Sequence, residues 1–232
     1  MTTEMAGRLA AVRQRVDAAA RDHERDPATI TLISVGKTFP AGIVNEAVLA
    51  GATDLGENRV QEAVAKKPGV AEARWHLIGP LQRNKARAAL EVFDIIHTVD
   101  RFEIADRLQY LLSEHWPERR LDVLLEINVA AEPQKAGADP EEASELLEHV
   151  LGCDRLAVRG LMAIPPWGED PEASRPWFRQ LRELRDRLEA EVGQPLPELS
   201  MGMSHDFEIA IAEGATMVRV GTAIYGPRTL KR

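Results

Sequence analysis

Short apolar runs recur along the whole chain, and their spacing narrows the fold more than any other feature. They fall at ITLISVG (30–36), ATDLGE (52–57), WHLIG (75–79), FDIIHTV (93–99), LDVLLEINV (121–129), LAVRGLMAI (156–164), PELSMGMS (197–204) and TMVRVGTAI (216–224). Runs this short without strict polar alternation read as strands buried on both faces. The stretches between them carry helical spacing: Trp177, Leu181, Leu184 and Leu188 recur on one face of 173–192, with Gly193 as a stop, and 41–50 ends at Gly51. Parallel strands need crossover connections, which helices supply. The expected fold is therefore α/β, a single (β/α)8 TIM-type barrel. Met5, Leu9, Val12 and Val16 add an extra amphipathic N-terminal helix over 4–22. Gly51-Ala52-Thr53 and Gly214-Ala215-Thr216 echo one another where a helix should stop and a strand begin.

The 232 residues, 44% hydrophobic and 28% charged, suit one globular domain over 1–232, with no Pro/Gly linker dividing them. No signal-peptide pattern and no window of membrane-spanning length occurs, so a soluble, cytoplasmic protein is expected. A formal net charge of −8 argues against nucleic acid as a partner. Cys153 is the only cysteine, and no Cys/His cluster has zinc-site spacing, so no metal is expected.

In such a barrel, function gathers where strands end. LISVGKTFP (32–40) puts a lysine directly after the first strand. A regular strand places Ile33, Val35 and Lys37 on one face, aiming the amine at the barrel mouth from an apolar base. Such a setting suits attack on a carbonyl. Equally, the lysine could bury its stem and keep its ammonium in water. In the last strand Arg219 and Gly221 share the face of Met217, and Gly221-Thr222 offers backbone N–H groups and a hydroxyl for a phosphate. Ser204 follows the seventh strand as another donor. The alternatives are a structural ion pair of Arg219 with Glu126 or another carboxylate, a helix N-cap at Ser204, and a Gly221 that only permits close packing. His76 could be a satisfied core histidine, Trp177 core, Lys135 a solvated loop residue, and the 182–191 charge run a solvated helix face.

VGKTFP around Lys37, DLGENRVQE (54–62), WHLIGPLQRNK (75–85), HTVD (97–100), RGLMAIPP (159–166) and LSMGMSHDFEIAIAEGATMVRVGTAIYG (199–226) occur in order. Together they resemble the YggS/PROSC-type pyridoxal phosphate homeostasis family, which is similar to the barrel domain of bacterial alanine racemase standing alone. The resemblance implies a fold-type III barrel that binds pyridoxal 5′-phosphate. It implies that Lys37 forms the internal aldimine, that Ser204, Gly221 and Thr222 hold the phosphate, and that Arg219 faces the pyridine nitrogen. Asn58, His76 and Met203 are implied near the ring or phosphate by looser analogy. Gly36, Phe39 and the AEPQKAG loop (131–137) depart from the family's usual residues.

The function so implied is that of a carrier without turnover, which buffers intracellular pyridoxal phosphate and supplies it to apo-enzymes, as a monomer or weak homodimer. An arginine at the ring nitrogen leaves the ring less able to stabilise a carbanion. The racemase's second base comes from a further C-terminal domain, whereas this sequence ends soon after the last strand. Two other readings stay open: a minimal amino-acid racemase or related lyase using Tyr225 or His76 as second base, and a cofactor-free Schiff-base aldolase acting on a sugar phosphate.

Overall fold

The computed structural model describes residues 2–227 except residue 133. Its strands are β1 Thr31–Val35, β2 Asp54–Glu57, β3 Arg74–Leu77, β4 Ile95–Val99, β5 Leu121–Glu126, β6 Leu156–Met162, β7 Glu198–Met203 and β8 Met217–Val220. All pair in parallel and in chain order, and β1 joins β8 to close the barrel. The helices are α1 Thr2–Asp22, α2 Ala41–Leu49, α3 Val60–Lys66, α4 Ala86–Val92, α5 Phe102–His115, α6 Ala143–Leu151, α7 Arg175–Val192, α8 Phe207–Ala212 and α9 Thr222–Tyr225.

The apolar runs outlast the strands they predict. The run at 121–129 stops being strand at Glu126, and the last run leaves the sheet after Val220 to enter α9. Burial continues past the ladder because loops at the barrel mouth are themselves covered: Ile127 and Val129 are buried outside β5.

Two apolar clusters follow from the period-two alternation of strands. Ile33, Val35, Ile78, Ile95, Leu124, Met162 and Met217 fill the barrel interior. The opposite strand faces meet the helices in a larger cluster containing Leu55, Trp75, Leu77, Ile96, Val123 and Leu161. Each such side chain removed from water contributes about 2 kcal/mol. Gly56 on β2 has no room for a side chain, since a Cβ there would lie 2.9 Å from Ile33 Cγ2.

Helix α1 spreads its buried stripe, Met5, Leu9, Val12 and Val16, over the barrel and packs on α8 and α9. Arg8 Nε donates to the Ile224 carbonyl at 2.7 Å, and Arg15 Nε donates to Glu208 Oε1 at 2.7 Å. The Gly-Ala-Thr echo is structural. Gly51 and Gly214 have φ of 106° and 102° and turn the chain from α2 into β2 and from α8 into β8.

Two expectations for α7 need correction. The face buried in the core is Phe178, Leu181, Leu184 and Leu188, with Trp177 only half-buried beside it. Its charge run is not simply solvated either. Arg182 donates to Glu213 at 3.0 Å, beside Arg179 at 2.9 Å and Arg175 at 3.1 Å, so three turns of α7 share one buried carboxylate. Arg185, mostly covered, pairs with Asp186 and Glu189.

Candidate functional site

A cavity of about 190 Å³ opens at the C-terminal ends of the strands. Lys37 enters it from the turn after β1, Asn58 from just past β2, Met203 and Ser204 from the end of β7, and Arg219, Gly221 and Thr222 from β8 and its turn. Val35, Ile78 and Ile164 give it apolar walls, and Phe39 and His205 stand at its edge. Strand β1 stops at Val35, so Lys37 leaves a tight turn rather than a regular strand, yet it still reaches the cavity, half-buried. Phe39, after the turn, stacks on Tyr225 with ring centroids 5.0 Å apart.

That turn is pinned from below. Lys66 Nζ donates to the Gly36 carbonyl at 3.0 Å and to Glu57 Oε1 at 2.6 Å. Burial pushes the Glu57 carboxyl upward, and Lys66 and, more weakly, Lys37 pull it back. Thr38 takes a φ of 72° and its N–H donates to Glu62 Oε2 at 3.1 Å.

Arg219 is buried at the floor of the cavity, 3% exposed. It donates through Nη1 to Ser200 Oγ at 2.7 Å and through Nη2 to the Ala163 carbonyl at 2.9 Å. The alternative ion pair, with Glu126 or another carboxylate, does not form among the described residues. Glu126 acts on the guanidinium only through its charge, and burial brings the Arg219 pKa down to about 10. The guanidinium is still a cation at neutral pH.

Ser204 is not a helix N-cap. Its Oγ accepts from the Gly221 N–H at 3.2 Å and from the Ala223 N–H at 3.5 Å, tying the β7 turn to the β8 turn, while Asp206 precedes α8. Gly221 is needed there because a Cβ would press on the Val35 carbonyl oxygen at 3.2 Å.

His76 alone of the expected residues does not line the cavity. It is fully buried in the barrel interior, its Nδ1 2.9 Å from His97 Nε2 and its Nε2 2.9 Å from Asp54 Oδ1. Both ring nitrogens are therefore engaged, and burial pushes its pKa down despite the Asp54 bond. His76 thus takes the place that the core-histidine alternative gave it, buried below the cavity rather than on its wall. Missed by the sequence reading were His97, Ser200 and Asp54 beneath Arg219. Strand alternation carried the signal, since Asp54, His76, His97 and Ser200 all fall on inward positions.

Tyr225, the other suggested base, is 5% exposed and its Oη lies 2.8 Å from Ser34 Oγ, which donates to it. Burial pushes its phenol up to about 12. Lys135 pairs with Glu132 at 2.5 Å in the 131–137 loop. Away from the cavity, exposed Asp106 on α5 and His149 on α6 and the buried Cys153 just past α6 bring one donor atom each within 4.8 Å of one another. No helix among the described residues is long and apolar enough to cross a membrane.

The family model for the alanine racemase N-terminal domain matches residues 8–229. A pyridoxal phosphate homeostasis protein of Aquifex aeolicus is 43% identical over 95% of this chain and 97% of its own. One from Pseudomonas aeruginosa is 45% identical over 97% of this chain and 96% of its own. Among solved structures, PipY of Synechococcus elongatus with pyridoxal phosphate bound superposes with a TM-score of 0.83 at 38% identity, covering 96% of this chain and 100% of that one. An alanine racemase of Clostridium difficile shares the fold at 13% identity and a TM-score of 0.71, and its chain is matched over 58% of its length. The closed barrel, the strand-end cavity and these relationships lead to one assignment: the chain belongs to the alanine racemase N-terminal domain family and, within it, to the pyridoxal phosphate homeostasis proteins.

Proposed function

We propose that this protein binds pyridoxal 5′-phosphate at the strand-end cavity and serves its storage and supply in the cytoplasm, one barrel domain acting as a monomer or weak homodimer. The observation that carries the reading is convergence. An amine, a guanidinium, a hydroxyl pair and a glycine turn from β1, β7 and β8 meet around one apolar-walled space.

The residues fit the cofactor's chemistry. Asn58 Oδ1 is buried and has no partner within the protein, so a polar group of the ligand would complete it. Lys37 would provide the amine for covalent attachment. Ser204, Gly221 and Thr222 would hold the phosphate, Arg219 the ring nitrogen, and Asn58 and Met203 the ring's edge and face. When bound, the cofactor supplies an aldehyde that joins reversibly to primary amines, which lets one protein hold it and another receive it.

Within this arrangement Ile78 and Val35 exclude water from the ring, the Lys66 bond to Gly36 orients the Lys37 turn, and Arg219 keeps a positive charge at the floor. Apo-enzymes that need the cofactor are the partners such a carrier would serve. The racemase alternative is less well supported. Of its two suggested second bases, Tyr225 is pushed far above neutral pH and bonded to Ser34, and His76 has both nitrogens engaged below the cavity.

Borohydride reduction of the protein mixed with pyridoxal phosphate, followed by peptide mass mapping, tests the proposal. A phosphopyridoxyl group on the peptide containing Lys37, absent in Lys37→Ala, is expected. Its appearance on another lysine, or the trapping of a sugar phosphate instead, would overturn it.

A further inference from the structure

An unbroken chain of hydrogen bonds runs through the barrel beneath the cavity. Arg219 Nη1 donates to Ser200 Oγ at 2.7 Å, and Ser200 Oγ lies 2.9 Å from His97 Nδ1. His97 Nε2 lies 2.9 Å from His76 Nδ1, and His76 Nε2 lies 2.9 Å from Asp54 Oδ1. Ser200, His76 and His97 are 0% exposed, Arg219 3% and Asp54 8%. The chain links β8, β7, β4, β3 and β2, and so crosses the interior from the cavity floor to the barrel's opposite end.

The Asp54 end fixes the direction of every bond. A guanidinium only donates, and an ionised carboxylate only accepts. His76 Nε2–H must therefore donate to the carboxylate, so with both rings neutral His76 Nδ1 accepts from His97 Nε2–H. His97 Nδ1 then accepts the Ser200 proton, while a lone pair of Ser200 takes the Arg219 bond. Reversing any link sets two donors or two lone pairs face to face in a space without exposure, at the cost of an unmade buried hydrogen bond.

Asp54 is well suited to anchor the far end. Thr53 Oγ1 donates to its Oδ2 at 2.7 Å and Arg74 Nε to its Oδ1 at 2.8 Å. Burial alone would raise its pKa, but the bonds from His76 and Thr53 hold it well below the ordinary carboxylate range. Burial likewise lowers both histidines, His97 further so beside His76 and Arg219, in keeping with two neutral rings.

We infer that Asp54, His76, His97 and Ser200 are positioning residues for the cofactor site, a one-way chain that holds the Arg219 guanidinium oriented and charged beneath the ligand ring. The inference rests on the proposed cofactor reading for its consequence, but the chain's polarity stands on this protein's own bonds. Mere mutual satisfaction of core polar groups would also explain the contacts, yet it gives Asp54 no influence on the cavity.

The test has two parts. In cofactor-free wild-type protein, nitrogen-15 NMR of the histidine rings, assigned with His76→Gln and His97→Gln, should show both as neutral Nε2–H tautomers. Finding either as the Nδ1–H tautomer or as imidazolium at neutral pH would overturn the inference, whatever the cofactor does. With pyridoxal phosphate bound, Asp54→Asn and Ser200→Ala should each shift the cofactor's absorption band and weaken its retention about tenfold, the scale of one hydrogen bond to a charged group. Leu124→Val, an interior change outside the chain, should leave the band in place. An Asp54→Asn protein whose band and retention match wild type would overturn the inference. A wild type that takes up no cofactor would instead strike at the proposed function, leaving the tautomer result to stand separately.

Discussion

Lys66 and Glu57 form a buried ion pair at 2.6 Å, and the same ammonium grips the carbonyl of Gly36, the residue before Lys37. One lysine on α3 thus pairs with one oxygen of a carboxylate on β2 and fixes the turn that presents another lysine to the cavity. Lys66→Met removes one partner and strands a carboxyl that is 1% exposed. A cost of about 3–5 kcal/mol in urea unfolding at neutral pH is expected. Glu57 would then take up a proton, so the loss should shrink on acidification, because a carboxyl raised in the folded state stabilises most below its unfolded pKa. Covalent labelling of Lys37 should slow as well. Normal labelling would show that the Gly36 anchor does not matter.

Tyr225→Phe separates a structural tyrosine from a catalytic one. The ring keeps its stack on Phe39 and loses only the bond to Ser34, so a stability decrease of about 1 kcal/mol is expected, with cofactor attachment unaltered. Any exchange of Cα protons of amino acids by the wild-type protein that vanishes in this variant would revive the racemase reading.

The barrel was legible because strands buried on both faces leave continuous apolar runs, and helices between them leave a different period. Strand ends were less so: burial of Ile127 or Val129 looks the same in sequence whether or not the ladder continues. Arg219 was legible through alternation, being on the inward face of β8, whereas Lys37 and Gly221 lie in turns past Val35 and Val220 and were legible through their place after a strand and through resemblance. The choice between the two readings of His76 rested on something sequence hides. The ring's partners, Asp54 and His97, stand about twenty residues away on neighbouring strands, and only the closed barrel shows that both its nitrogens are taken. The α7 arginines were hidden in the same way, because Glu213 lies on the far side of a strand and a helix.

Gly160 tests the registration of β6 against β7. It pairs with Glu198, and a Cβ at position 160 would stand 1.8 Å from the Glu198 carbonyl oxygen. Backbone on both sides leaves nothing to yield. Gly160→Ala should therefore cost at least about 3 kcal/mol, among the larger effects known for single changes. Thermal unfolding measures it, and a shift of only a degree or two would mean the strands separate more easily than their packing implies.

Glu126 offers a pH signature at the mouth of the barrel. It is 5% exposed, its Oε2 has no partner within the protein, and its pKa is pushed up to about 7. Burial is the main cause and the charge of Asp100 the second, while Arg219 and Arg101 act in the opposite direction. The folded protein therefore favours neutral Glu126 relative to the unfolded chain. The stability this provides is complete below the ordinary value of 4.5 and is lost as pH rises through about 7. Glu126→Gln, always neutral, should match wild type near pH 4.5 and exceed it by up to about 3 kcal/mol at pH 8. Asp54, His76 and His97 pull the other way on acidification, so the difference between variant and wild type, rather than either curve alone, isolates this group. Urea midpoints taken at intervals from pH 4.5 to 8 provide it, and two parallel curves across that range would show that Glu126 is ionised throughout.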